Sequence, residues 1–316
     1  MADHCELCRV TSATRWGALF SQVGDPHLVQ SWAYGEAKQA VDGWRPRRFV
    51  FEREGRPVAI CQVLDKSVAG LAVATRLNRG PLFIEADPGD DVVRDVYRAL
   101  RRHWRHLRGV LALAPALESC DENYRLVREV GFRERHRHGW CSARLDLRLD
   151  GEQLRRNLTA HWRNRLRVAE RDPDLDLRVS QTDEDVEWII DRHAENMTEK
   201  SFVGPAPAFV RALRRAAPDD FLVFRAHREG ESIGGVAVCR FGNAAECYVG
   251  WFGREGRKVN VGNFLFWQIA VEMQRRGCRS LDLGGYLRSD KDAHFGHFKA
   301  GMRGSDYELL NEWLAF

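Results

Sequence analysis

The feature that most limits what this chain can fold into is that one order of elements occurs twice. In the first half, 47–53 and 57–64 are alternating apolar runs joined by Glu54-Gly55, a two-residue hairpin signal. A third strand over 71–75 is broken by Arg79-Gly80-Pro81. The segment 90–107 then places Val93, Val96, Leu100 and Trp104 at helical spacing, and 110–113 is a short buried strand ended by Pro115. A helix over 122–129 stops at Gly131, and 140–147 closes the half. The second half has helices over 183–197 and 207–216, and strands over 221–226, 232–240 and 245–251 with turns at Glu229-Gly230 and Gly242-Asn243. An apolar helix over 262–276 ends at Gly277, and 280–283 is the next strand. Three antiparallel strands, a helix and a further strand in both halves predict a duplicated α+β protein. With 316 residues, two domains of about 150 residues each are expected. They are drawn at 1–149 and 150–316.

Composition excludes several classes. At 44% hydrophobic and 30% charged the chain is ordinary for a globular protein, and no run approaches ~18 apolar residues, so no membrane span is expected. Met1-Ala2-Asp3-His4-Cys5 lacks a secretory pattern, which points to the cytoplasm. Cys61, Cys141, Cys239 and Cys247 lie in apolar runs and read as buried thiols rather than a disulfide framework. Cys5-x-x-Cys8 has no second half of a zinc site, and His294-x-x-His297 with Asp290 and Asp292 has no fixed helical spacing, so no metal is expected.

A net charge of +4 does not by itself mark a nucleic-acid binder, but its distribution is uneven. Asp150-Gly151-Glu152-Gln153 opens a helix expected to run to about Arg171. Leu154, Leu158, Trp162, Leu166 and Ala169 form its apolar stripe, flanked by Arg155, Arg156, Arg163, Arg165, Arg167 and Arg171. Such a face can follow a phosphate backbone, or it can simply be solvated.

Only six of the 49 basic residues are lysines: Lys38, Lys66, Lys200, Lys258, Lys291 and Lys299. A lysine kept in so arginine-biased a chain points to a need for a compact ammonium. Lys299 follows Asp282-Leu283-Gly284-Gly285 and Asp290-Lys291-Asp292, inside His297-Phe298-Lys299-Ala300-Gly301. The element order matches the GNAT acyltransferase core, in which two central strands splay to admit donor and acceptor. Five segments in sequence further resemble the Fem family of aminoacyl transferases. They are Gln30-Ser31-Trp32 through Lys38; Arg79-Gly80-Pro81; Leu154 with Trp162–Arg167; Asn263, Trp267, Ala270 and Gly277 leading to Asp282-Leu283-Gly284-Gly285; and Phe298-Lys299-Ala300-Gly301.

The resemblance implies two tandem GNAT-like domains, each a mixed, mostly antiparallel sheet flanked by helices. It implies transfer of an amino acid from aminoacyl-tRNA to an amine of a peptide-like or nucleotide-sugar-peptide acceptor, with no cofactor. The first domain would serve the acceptor and the second the aminoacyl-tRNA. By position, Lys299 would be catalytic at the reacting ester and Lys38 would contact the acceptor's phosphate, with Lys200 as another basic contact. Trp32, Tyr34, Arg79, Tyr248 and Asp282 complete the candidate substrate site, while Arg155, Arg156, Arg163, Arg165 and Arg167 are candidates for tRNA. Two departures stand out: Ala114 occupies a position where many members have a carboxylate, and the segment from Asp174 to Ser180 leaves no room for the long helical hairpin of some members. The acceptor therefore stays open between a peptidoglycan precursor and a small peptide natural product. One rival is a coenzyme-A-dependent N-acyltransferase, since Arg257-Lys258-Val259-Asn260-Val261-Gly262 approximates a pyrophosphate-binding turn with Asn260 in place of glycine. A non-catalytic RNA- or peptide-binding tandem protein is the other.

Overall fold

A computed structural model of the chain describes residues 5–68, 71–105, 110–135, 139–286 and 294–315. Two compact units result, one of residues 1–141 with 307–316 and the other of residues 142–306. The first contains β1 (Glu6–Val10), α1 (Ala13–Phe20), α2 (Trp32–Asp42), β2 (Arg45–Arg53), β3 (Arg56–Val68), β4 (Leu71–Asn78), β5 (Leu82–Phe83), α3 (Asp90–Arg105), β6 (Val110–Ala114), α4 (Asp121–Glu129) and β7 (Arg133–Arg135). In the second lie β8 (Cys141–Asp146), α5 (Gly151–Asn157), α6 (Ala160–Glu170), β9 (Leu175–Ser180), α7 (Asp183–Glu199), α8 (Pro207–Ala216), β10 (Phe221–Arg228), β11 (Glu231–Phe241), β12 (Ala244–Phe252), α9 (Arg254–Lys258), α10 (Val261–Arg275), β13 (Ser280–Asp282), α11 (His294–Ala300) and β14 (Ser305–Glu308). The last strand, β15 (Glu312–Ala315), returns to the first.

The sheets have matching orders. The first runs β1-β2-β3-β4-β6-β15-β7, with β5 also on β3, and the second runs β9-β10-β11-β12-β13-β8-β14. Both opening hairpins turn on Glu-Gly with positive φ at both residues: 51° and 72° at Glu54-Gly55, 51° and 83° at Glu229-Gly230. That is the hairpin geometry whose twist suits the flanking strands. The duplication expected from the element order is present.

Three expectations need correction. Residues 140–147 were expected to close the first half, with the boundary at 149/150. Instead β8 pairs with β13 in the second sheet, and the sixth position of the first sheet is filled by β15 on β6. Local patterning marks 140–147 as a strand but carries nothing about which distant strand it will pair with, and it assigns no element to Glu312–Ala315. The helix expected over 150–171 is two helices. Asp150 and Gln153 form a reciprocal capping box on α5, but Leu158 leaves helical geometry (φ −54°, ψ 143°) and Thr159 caps α6 by accepting from the Trp162 N–H. The apolar stripe passes unbroken through the kink, since Leu154, Leu158, Trp162, Leu166 and Ala169 are all buried.

Candidate active site

In the first unit β4 and β6 are parallel and stay paired from Ala74–Val110 to Asn78–Ala114. The equivalent strands of the second unit, β12 and β13, behave differently. Their ladder holds for Ala244–Ser280, Ala245–Leu281 and Glu246–Asp282 and then stops, while β12 runs on to Phe252. On its other side β12 bulges against β11: Val238 faces Cys247 and Ala237 faces Val249, making Tyr248 the extra residue. Of these two parallel pairs the second unit's is the shorter, and β12 runs on past its end.

The Asp282-Leu283-Gly284-Gly285 turn lies at the end of this ladder. Gly284 has φ +83°, and a Cβ there would lie 2.6 Å from the Cys247 carbonyl oxygen, so both conformation and space demand glycine. Asp282 Oδ1 accepts from the Gly284 N–H at 2.8 Å and from the Ser142 hydroxyl at 2.5 Å, which pins the turn to β8. Asp282 and Glu246, adjacent across the ladder, are both buried.

Lys299 enters this region from α11. The residues around it hold that helix: Phe298 packs against Trp162 (ring centroids 5.9 Å apart) and Phe266 (5.1 Å), the Thr159 N–H donates to the Gly301 carbonyl at 2.9 Å, and a Cβ on Gly301 would strike the Trp162 ring at 2.6 Å. The break between α5 and α6 thus seats the Phe-Lys-Ala-Gly segment. Lys299 is 1% exposed. Its Nζ donates to the Gly284 carbonyl, lies 3.5 Å from the Gly285 carbonyl and sits 5.5 Å from the Tyr286 ring centre. Burial pulls its pKa down to about 8, against the opposing pull of Asp282, Cys247 and Glu246. An ammonium that titrates near neutrality can donate a strong hydrogen bond and exchange its proton within the working pH range.

The other candidates have definite places. In the first unit, Lys38 pairs with Asp42 at 2.6 Å on α2, and the Tyr34 N–H is capped by Ser31. Trp32 lies under the buried Arg48 guanidinium at 3.4 Å, and Arg79 stacks at 3.5 Å on Trp140. Gln30 is fully buried and donates to the Gln62 and Asn78 carbonyls while accepting from the Gln62 N–H. It joins β3 to β4 where the β3 ladders to β4 and β5 leave a gap between Leu64 and Ile60. In the second unit Lys200 is an exposed residue ending α7, its pKa lowered by partial burial and then by Arg257. Arg155 is bound to Glu170 and lies 5.3 Å over Trp267, and Arg163 donates to the Arg156 and Leu158 carbonyls, closing α5. Arg156, Arg165 and Arg167 are exposed.

The second unit therefore gathers Lys299, Asp282 and the strand of Tyr248, while Lys38, Trp32, Tyr34 and Arg79 belong to the first. Two residues of the cluster escaped the sequence reading. Glu246 had a signal, a carboxylate inside the apolar run Ala244-Ala245-Glu246-Cys247; Ser142 had none. Cys5 is buried, the Cys8 thiol lies 3.9 Å from Glu52, and among the described residues no group of three or more His, Cys, Asp or Glu is placed to hold a metal. Asp290, Lys291 and Asp292 lie outside the described residues, as does the His294 side chain. Among the described residues no helix is long and apolar enough to cross a membrane.

The acetyltransferase (GNAT) domain family matches residues 156–299. No curated protein matches the chain. FemX superposes with a TM-score of 0.80 at 14% identity, covering 98% of this chain and 96% of its own. A tandem GNAT protein from the clavulanic acid biosynthesis pathway gives 0.54 at 14% identity, covering 99% and 98%. The C-terminal domain of a putative lysylphosphatidylglycerol synthetase from Agrobacterium fabrum gives 0.54 at 14%, covering 96% and 92%. The fold is a tandem GNAT fold of Fem-like form.

Proposed function

We propose that this Fem-like tandem GNAT chain transfers an amino acid from aminoacyl-tRNA to an amine of a peptide-like acceptor, either a peptidoglycan precursor or a small peptide intermediate. The observation that carries the reading is the buried Lys299 ammonium beside the end of the β12–β13 ladder. An aminoacyl ester is already activated, so no cofactor is needed. The acceptor nitrogen attacks the ester carbonyl carbon, a C–N bond forms, and the C–O bond to the ribose 3′ oxygen breaks. The proton shed by the amine returns to that oxygen through the neighbouring 2′-hydroxyl.

The barrier lies in orientation and in the tetrahedral oxyanion. Holding both substrates in one site contributes roughly 7–11 kcal/mol, and one well-aimed donor about 3–4 kcal/mol. Lys299 is suited to be that donor. Its pKa, lowered by burial to about 8, keeps the ammonium available as a donor near neutral pH. The exposed Arg156, Arg165 and Arg167 supply a phosphate-binding face on α5 and α6. The likeness to FemX and to a putative lysylphosphatidylglycerol synthetase supports aminoacyl transfer.

Acetyl-CoA is the second reading, supported by the acetyltransferase family match and by one feature of the structure. Asn260, where the coenzyme-binding pattern has glycine, adopts that residue's left-handed conformation (φ 58°) just before α10. Offering a charged tRNA pool and acetyl-CoA side by side, with amide products read by mass spectrometry, separates the two. Product from charged tRNA is expected; product from acetyl-CoA alone overturns the proposal.

A further inference from the structure

Ser142 takes no part in the reaction above, yet it touches two groups that act on Lys299, the Gly284 carbonyl that accepts from it and the Asp282 carboxylate that attracts it. It is wholly buried on β8, beside the Ala143 carbonyl that accepts from the Leu283 N–H and two residues before Arg144, which pairs with Asp282. Its Oγ lies 2.5 Å from Asp282 Oδ1 and 2.9 Å from the Gly284 carbonyl oxygen. A hydroxyl carries one proton and serves one of these acceptors at a time. The Gly284 carbonyl is also the acceptor of the Lys299 ammonium.

The same carbonyl therefore has two donors that can stand in for each other. If Lys299 turned toward an oxyanion, the Gly284 oxygen would lose its donor inside the protein, which is costly for a backbone carbonyl. Rotation of the Ser142 hydroxyl removes that cost without moving a heavy atom. Asp282 Oδ1 meanwhile keeps the Gly284 N–H at 2.8 Å. We propose that Ser142 is a positioning residue whose single proton passes from the Asp282 carboxylate to the Gly284 carbonyl as Lys299 leaves that carbonyl to donate to the oxyanion. The inference rests on the reading of Lys299 as oxyanion donor.

Among the described residues, the groups acting on the lysine include the Gly284 and Gly285 carbonyls, Asp282 from β13, Glu246 and Cys247 from β12 and the Tyr286 ring, with Arg144 of β8 lying 3.9 Å from Asp282 Oδ2. Ser142→Ala replaces none of these groups. In that variant the Gly284 carbonyl is left to the ammonium, and Asp282, deprived of one donor, attracts the ammonium more strongly. Both changes favour the charged lysine, so the Lys299 pKa is expected to rise by roughly half a unit or more.

With six lysines in the chain, carbon-13 NMR of lysine labelled at the ε carbon resolves the titration, and Lys299→Met assigns the signal. Loss of a hydrogen-bond partner one step from a working group costs about 10–100-fold at metal centres, and kcat for aminoacyl transfer is expected to fall by a similar factor with KM nearly unchanged. Ser142→Cys, close in size and a weak donor, must move the pKa in the same direction. An unchanged or lowered Lys299 pKa in a variant that keeps its melting temperature overturns the proposal, and so does a raised pKa with kcat intact. A raised pKa in a protein whose wild type transfers no amino acid refutes the reading of the reaction and leaves the hydrogen-bond exchange standing.

Discussion

Lys299→Met should make the protein more resistant to unfolding at neutral pH relative to its behaviour at high pH. The lysine is buried, and desolvation lowers its pKa from 10.5 to about 8. Between those values the unfolded chain binds the proton that the folded chain has released, so wild-type stability rises with pH there. Below pH 8 the folded state bears the full penalty, about 3 kcal/mol for a shift of this size. Integrated from pH 7 to 9.5, the relief is about 2 kcal/mol. Methionine has no proton to exchange. Urea unfolding of both proteins across that interval should show the stability difference, variant minus wild type, falling by that amount. Loss of the hydrogen bond to Gly284 shifts the whole difference but not its slope, which makes the slope the quantity to read. Curves that run parallel from pH 7 to 9.5 would refute the claim that the ammonium is held at a desolvation cost.

Gly284→Ala places a Cβ 2.6 Å from the Cys247 carbonyl oxygen at φ +83°, so transfer should be lost, as measured by product formation, while circular dichroism of the sheets is retained. Gln30→Leu leaves the Gln62 N–H and the Gln62 and Asn78 carbonyls without their amide partner, and urea unfolding should report a loss of about 3 kcal/mol or more. Arg165→Glu with Arg167→Glu should weaken tRNA binding and flatten its dependence on log salt by roughly 1.5–2 units, measured by filter binding, whereas Arg163→Ala should lower the melting temperature by uncapping α5.

Much of this was legible in the sequence because local rules suffice for it. The Glu-Gly hairpins, the helical spacing of Val93, Val96, Leu100 and Trp104, and the Asp150–Gln153 capping box each depend on residues a few positions apart. Lys299 stood out as a candidate for a different reason, its scarcity among arginines next to an Asp-Leu-Gly-Gly turn. The exchange of β8 and β15 was not legible, because strand partners far apart in sequence leave no local trace. The break before Thr159 was hidden by an apolar stripe that keeps its spacing on both sides of it. Ser142 is one small polar residue in a strand, and its meaning exists only once Gly284 and Asp282 are beside it. Gln30 matched a family motif in the sequence, while the structure shows it bridging β3 and β4.

The central claim is that the Lys299 ammonium stabilises acyl transfer at the end of the β12–β13 ladder in the second unit. Single-turnover transfer from a saturating charged tRNA, compared between the wild type and Lys299→Met, tests it most directly. A drop of about 10²–10³ in the chemical step with tRNA affinity unchanged is expected. Equal rates in the two proteins would contradict it.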